Sequence, residues 1–437
     1  MNNYITDKPM KKYGFLLTLA LLLGANGVQA QHFDEFFVNK TLRVNYLHTG
    51  NADFEEMKID HYTVGGTWNG TRSYLVEPHM LGDILVEVID SVSDKLIYSR
   101  SYSCLFTEYR TTEKGQTEVA SMEECINVPF PKNTVCLRFT SFDRKRNATP
   151  LGSAWFNPQT TPCQPMAKRY KTIDLHIGNT PDKAIDILFI PDGYAKSDAR
   201  RMKKDMKEFA AYVMGCSPYK EMQDKVNIRA IVGYSKESGI TQPQNGIFRQ
   251  TLLGCAYNAL DLDRYLCCDN VWTLHEVADD APYDAIVIVC NSDKYGGAGF
   301  YNFYCTVYNH GEHPDYVIVH EMGHLIGGLA DEYYTSEVSV RDFYPAGVEP
   351  AEPNVTTLVD FDAKWKDLLT PGTPVPTPPA QEGTPEYDKV GVYEGGGYVA
   401  KGVYRPMMYC TMNGRLYNRF CPVCLRALQE VLDYYAH

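Results

Sequence analysis

The alternation of apolar and polar positions changes rhythm once, near residue 170. From residue 31 to about 165, short runs alternate at period two: Thr41 to Tyr46, Ile84 to Ile89 and Val135 to Phe139. Gly65-Gly66, Asn69-Gly70 and Gly82-Asp83 separate such runs as turn formers, and no helical period emerges. This pattern predicts an antiparallel β-sandwich over residues 31–165. Asn157 to Arg169, with Pro158, Pro162 and Pro165, reads as a linker.

Beyond about residue 170 strands and helices alternate. Ala184 to Ile190 is a strand that ends in the turn Pro191-Asp192-Gly193-Tyr194. Ser197 is placed to cap the next helix, where Met202, Met206, Phe209, Ala210 and Val213 recur at helical spacing as packing residues. Val226 to Val232 is a second strand. Ala285 to Val289 is a third, apolar enough that both of its faces must be covered. The alternation predicts an α/β domain with a mixed sheet over residues 170–437. Within it Trp365 to Tyr387 is a proline-rich surface loop. Val423 to Ala436 is an amphipathic helix with Leu425, Leu428, Leu432 and Tyr435 on its buried side.

Composition and charge narrow the setting. Lys11 and Lys12, the apolar stretch Phe15 to Ala25 and the small-residue end Val28-Gln29-Ala30 form an export signal, with cleavage expected after Ala30. That apolar stretch is short of the ~20 residues a membrane helix needs, so a secreted or periplasmic chain without a membrane span is expected. A net charge of −12 with no basic run excludes nucleic acid as the expected partner. Thirteen cysteines in an exported chain predict disulfides. The candidate sets are Cys104, Cys125, Cys136 and Cys163; Cys267 and Cys268; and Cys410, Cys421 and Cys424. Cys421-Pro422-Val423-Cys424 opens a helix. It reads first as a structural disulfide involving Cys410, with a redox dithiol and a second zinc site as the other readings.

The candidate chemistry gathers at His320-Glu321-Met322-Gly323-His324. Pro314 to Val319 lead in as a helix, with Asp315 as its expected N-cap. His320 and His324, four apart, then share one helical face, and Glu321 lies on the adjacent flank. Two imidazoles on one ion with a carboxylate beside it is the arrangement of a zinc hydrolase. Gly327-Gly328 lets the chain leave the helix, and the acidic pair Asp331-Glu332 follows within reach of the same ion. Tyr295 to Gly299 lacks the Lys-Ser/Thr of a phosphate loop. It reads either as an edge strand above the metal helix, beside which an extended peptide pairs, or as a plain hairpin. His61 and His79 are isolated and read as structural or surface residues.

Four segments resemble the IgA-specific metallopeptidase family of secreted bacterial zinc peptidases. They are Phe189 to Tyr194, His320 to Tyr333 in the form H-E-x-x-H-x-x-x-G-x-x-D-E-Y, Glu394 to Tyr398, and Tyr404-Arg405-Pro406 with Met412 after it. The resemblance covers about residues 170–437, and the first module looks like the β-sandwich that often precedes this zincin-like catalytic domain. It implies His320 and His324 as zinc ligands, Glu321 as general base, Asp331 as third ligand, and Met412 in a turn beneath the metal. The wider metzincin group, which looks similar, would place the third ligand on Ala330; here the acid stands one residue later. Glu332 and Glu394 remain the alternatives to Asp331. Tyr301, Tyr333, Tyr398 and Tyr409 are all candidates to stabilise an oxyanion. The expected activity is that of an exported zinc endopeptidase acting on extracellular proteins or glycoproteins. The competing readings are an exported adhesion protein with a peptidase-like domain and a metallohydrolase of a non-peptide substrate. Intact Glu321 favours an enzyme, because a purely structural site has no use for a base there.

Overall fold

The period-two runs become strands from Phe37 onward in the computed structural model, which describes residues 32–334, 343–415 and 418–437. The predicted export signal and its cleavage site lie outside the described residues. A short helix, α1 (Phe33–Phe36), leads into β1 (Phe37–Gly50), β2 (Glu55–Gly65), β3 (Ile84–Asp90) and β4 (Leu96–Tyr102). After α2 (Leu105–Tyr109) come β5 (Ala120–Pro131), β6 (Val135–Phe142), β7 (Ala148–Phe156) and β8 (Cys163–Pro165). They form two four-stranded sheets, ordered β5-β1-β2-β8 and β4-β3-β6-β7. Alternation decides which face is covered: in β6, Val135, Leu137 and Phe139 are buried while Arg138 is exposed. Tyr46 of β1 meets Phe139 of β6 edge-on, with ring centroids 5.1 Å apart. The stretch expected as a linker contributes β8, which pairs parallel with β2 through Tyr62 and Cys163.

The second half holds β9 (Lys171–Ile177), β10 (Ile185–Asp192), α3 (Ala199–Gly215), β11 (Val226–Val232), α4 (Val271–Ala278), β12 (Ala285–Cys290), β13 (Gly297–Gly299), β14 (Tyr304–Tyr308) and α5 (Pro314–Gly327). A hairpin of β15 (Tyr393–Gly396) and β16 (Val399–Arg405) and the helix α6 (Pro422–Ala436) complete it. The sheet order is β13-β14-β12-β10-β11-β9. The four inner strands run parallel and the two edge strands antiparallel, so the sheet is mixed, as the alternation predicts. Every residue of β10 and β12 is buried, the mark of strands covered on both faces. Phe189, Val287, Met206, Phe209 and Val317 share one apolar core between sheet and helices.

Several local expectations need correction. The N-cap of α5 is His313, with Pro314 at the first helical position; Asp315 lies inside the first turn, where its charge complements the helix dipole. Asp198, not Ser197, stands at the N-cap of α3, because a short 3₁₀ turn over Lys196–Asp198 precedes the helix. Leu425 is only half-buried, and Val423, Cys424 and Ala427 join Leu428, Leu432 and Tyr435 on the covered face of α6. The predicted disulfides do not form: all thirteen cysteines are free, most of them buried as small apolar groups. Among the described residues no helix is long and apolar enough to cross a membrane.

Candidate metal centre

Helix α5 presents His320 and His324 on one face, and the helix ends where Gly328 takes the left-handed conformation (φ +56°) as its C-cap. The reversal returns the chain along the helix and carries Asp331 to the histidine face. His320 Nε2 lies 3.0 Å from Asp331 Oδ1, His324 Nε2 lies 3.4 Å from it, and the two Nε2 atoms are 3.2 Å apart. The three predicted ligand residues therefore stand together, with His320 and Asp331 buried and His324 half-buried.

The outer nitrogens decide what the inner ones can do. His320 Nδ1 faces the carbonyl of Thr411 at 3.1 Å, and His324 Nδ1 faces the carbonyl of Leu329 at 2.6 Å. A carbonyl only accepts, so each Nδ1 carries a proton and donates it, and each neutral ring offers its Nε2 as a lone pair. Among the described residues Asp331 Oδ1 then has no hydrogen-bond donor. Its other oxygen, Oδ2, accepts from the Tyr398 hydroxyl. Three lone pairs converge on one point, which is stable only with a proton or a cation between them. Without a cation the answer is a proton. Burial opposes a charged His324, but Asp331 outweighs it and pushes the imidazole up to about 9. Against burial, His324 and His320 hold Asp331 well below the usual carboxylate range. Two imidazole nitrogens and one carboxylate oxygen are also a donor set that fits a zinc ion.

Glu321 is half-buried on the flank toward the sheet edge, and burial raises its carboxyl above the ordinary range despite the imidazoles beside it. Edge strand β13 passes so close that a Cβ on Gly297 would stand 2.7 Å from Glu321 Oε1. The glycine-rich stretch is both an edge strand and one arm of the antiparallel β13–β14 hairpin, and it lines the same cleft as Glu321. Met412 lies beneath the helix, its sulfur 2.6 Å from where a Cβ on Gly323 would be.

The alternative third ligands go elsewhere. Glu332 is fully buried and turns to Cys424 Sγ, 3.3 Å from its Oε1. Glu394 is exposed, and its Oε1 accepts from the Gly402 N–H at 3.2 Å. Of the four tyrosines, Tyr301 donates to Glu77 (3.0 Å) and Tyr409 to the Gly414 carbonyl (2.6 Å), while Tyr398 is held on Asp331. Tyr333 also lines the cleft, its ring stacked over His320 with centroids 6.4 Å apart and its hydroxyl beside Asp331 and Arg264. His61 pairs with Asp60 at 2.7 Å and His79 is exposed, in keeping with structural or surface roles.

Other site features had no sequence signal. The carbonyls of Thr411 and Leu329 orient the histidines, yet a carbonyl carries no residue identity. Arg264 lines the cleft, and so do Leu81, Asp83, Arg144 and Arg146 of the strand-rich first half. The motif segments, in contrast, acquire reasons. Gly397 N–H donates to the Asp331 carbonyl and Tyr398 N–H to the Tyr333 carbonyl, both at 2.9 Å, so the β15–β16 turn carries Tyr398 to Asp331. Buried Asp192 accepts from the N–H groups of Leu253 (2.9 Å) and Cys255 (3.0 Å), which ties the strand end to the loop beside it. Two family models match this chain. The one described as IgA Peptidase M64 covers residues 173–387 and 380–432, and the one described as Peptidase M64 N-terminus covers residues 32–151. A comparison with curated proteins returns no match.

Proposed function

The chain belongs to the IgA Peptidase M64 family and is a peptidase, and from that premise we propose that it is an exported, zinc-dependent endopeptidase. The observation that carries the metal is the convergence of three lone pairs, His320 Nε2, His324 Nε2 and Asp331 Oδ1, each held in place from behind. A hydrogen bond on the far side of each ligand fixes its orientation and raises its basicity. We read the two N-terminal sheets as a β-sandwich over residues 31–165, and residues 170–437 as the zincin-like catalytic domain. The Tyr46–Phe139 contact between the sheets supports the former.

Zinc, when bound, supplies a Lewis acid that polarises a scissile carbonyl and makes water nucleophilic near neutral pH. Glu321 accepts the proton of the attacking water on its carboxylate and hands it to the leaving amine nitrogen. The carboxyl's raised affinity for protons, a result of burial, suits both halves of that transfer. An extended substrate lies beside β13, whose outer side is bridged, among the described residues, by Tyr265 at Gly297. Tyr333 is the hydroxyl best placed to help stabilise the oxyanion. The export signal Lys11–Ala30 directs the activity to extracellular proteins or glycoproteins.

The test is cleavage of denatured casein and immunoglobulin by the purified chain, before and after chelation and with zinc restored. Cleavage lost on chelation and recovered with zinc is the expected outcome. Equal cleavage by the metal-stripped chain overturns the reading.

A further inference from the structure

We propose a second metal site, separate from the histidine cluster, in which Cys410, Cys421, Cys424 and Glu332 hold one thiophilic divalent cation, Zn²⁺ by preference. One ligand atom from each of the four lies within 4.8 Å of all the others, and all four residues are buried. Cys410 Sγ and Cys424 Sγ are 3.7 Å apart. A tetrahedral site with Zn–S bonds of ~2.3 Å has a sulfur–sulfur edge of about 3.8 Å.

Glu332 supplies an independent sign that something is bound there. It is fully buried. Its Oε1 accepts from Asn354 Nδ2 at 3.0 Å and faces Cys424 Sγ at 3.3 Å, but among the described residues its Oε2 has no partner. A buried carboxylate oxygen without a donor is costly and calls for a counterion. Two of the three sulfurs, those of Cys410 and Cys421, also receive backbone N–H groups. Cys421 N–H donates to Cys410 Sγ at 3.3 Å, and Cys424 N–H donates to Cys421 Sγ at 3.5 Å. A neutral thiol is a poor acceptor, whereas N–H groups aimed at sulfur offset the charge of a metal-bound thiolate. Cys421 is the N-cap of α6 and Pro422 opens its first turn, so the helix dipole favours negative charge there.

Three thiolates select a soft cation, and four protein ligands leave no open position, so the site is structural. Its place gives the role. Glu332 follows Asp331 in the chain, and Cys410 precedes Thr411, whose carbonyl orients His320. Glu332 N–H donates to the Met412 carbonyl at 2.8 Å. One cation would therefore pin both segments behind the histidine cluster to the start of α6. On binding, each thiol releases its proton to solvent and no oxidant is needed. A disulfide would need an oxidant and would strand one thiol beside the unpaired Glu332 oxygen.

The test uses the full chain, purified under reducing conditions, depleted of metal and reloaded with Co²⁺. The expected result is sulfur-to-cobalt charge-transfer absorption that persists in His320→Ala/His324→Ala and vanishes in Cys421→Ser/Cys424→Ser with one equivalent of metal. Should the serine variant fail to fold, the spectra of the wild type and the histidine variant still decide. Failure of the histidine-site reading would leave the sulfur band untouched, so the two ideas fail separately. A folded, reduced wild-type chain without sulfur–cobalt absorption overturns the second site. A disulfide among Cys410, Cys421 and Cys424, found by mass spectrometry of the chain isolated without reductant, overturns it equally.

Discussion

Among the described residues stand two buried histidine–carboxylate clusters, one in each half, and one of the two is arranged to receive an ion. In the first half His48 Nδ1 meets Glu124 Oε1 at 2.9 Å and its Nε2 meets Glu55 Oε2 at 3.2 Å. Glu124 Oε2 accepts from Tyr46 (2.9 Å) and Tyr102 (2.6 Å), and Glu55 Oε1 accepts from Ser141 (2.7 Å) and Arg110 (2.5 Å). Both ring nitrogens face acceptors, so both donate and the ring carries charge. Burial opposes that charge, but Glu124 and Glu55 push the imidazole up to about 9. Cys104 also lies within ligand reach of His48 and Glu124, yet no imidazole lone pair is left for a metal. At His320 and His324 the outer nitrogens donate to carbonyls, and the inner ones face each other and Asp331 Oδ1, where an ion can take the place of a proton. Residue types do not separate the clusters; where the protons go does.

The largest expected effect falls on the open cluster. Glu321→Gln should keep the metal and lower turnover on the order of 10²–10⁴-fold, read as kcat with metal content measured alongside. Near-full activity with metal bound would remove Glu321 from the mechanism. On the closed cluster, His48→Ala leaves Glu124 buried without its cation, while Glu55 keeps Arg110, and should cost about 3–5 kcal/mol in denaturant unfolding, with metal content unchanged. Loss of metal in that variant would show that the two clusters are not independent. Met412→Ala opens a cavity beneath Gly323 and should cost roughly 2–5 kcal/mol.

The pH dependence of stability isolates His48 again. Its folded-state pKa is raised from 6.5 to about 9, so its contribution is complete below pH 6.5 and is lost as pH rises through about 9. A fall on the order of 3 kcal/mol across that window is expected in the wild type and absent in His48→Ala. Glu55 works in the opposite sense: its folded pKa is lowered, so its contribution is lost as pH falls through the acid range. The smallest effect is Gly297→Ala, whose Cβ would press on Glu321 Oε1 and should lower turnover about tenfold without releasing the metal. Unchanged turnover there would place the working position of Glu321 away from β13.

Much of the fold was legible because its signals are local. The period-two runs of β1, β3 and β6, the core stripe of α3 and the apolar strands β10 and β12 each follow from backbone geometry within a few residues. The pairing of His320 with His324 was legible for the same reason, since a helix of period 3.6 brings residues four apart to one face. The third partner was not, because it depends on a left-handed cap at Gly328 and the course of the chain after it. Asp331 and Glu332 are neighbours of nearly equal chemistry, yet one turns to the histidines and the other to the sulfurs. Nor could spacing show that Thr411 and Leu329 carbonyls set the tautomers, that Leu81 and Arg144 wall the cleft, or that His48 is sealed among carboxylates. The sequence by itself determined the elements and the two-histidine face. Tertiary structure alone decided which lone pairs remain bare, because a proton's position is set by contacts between residues far apart in the chain.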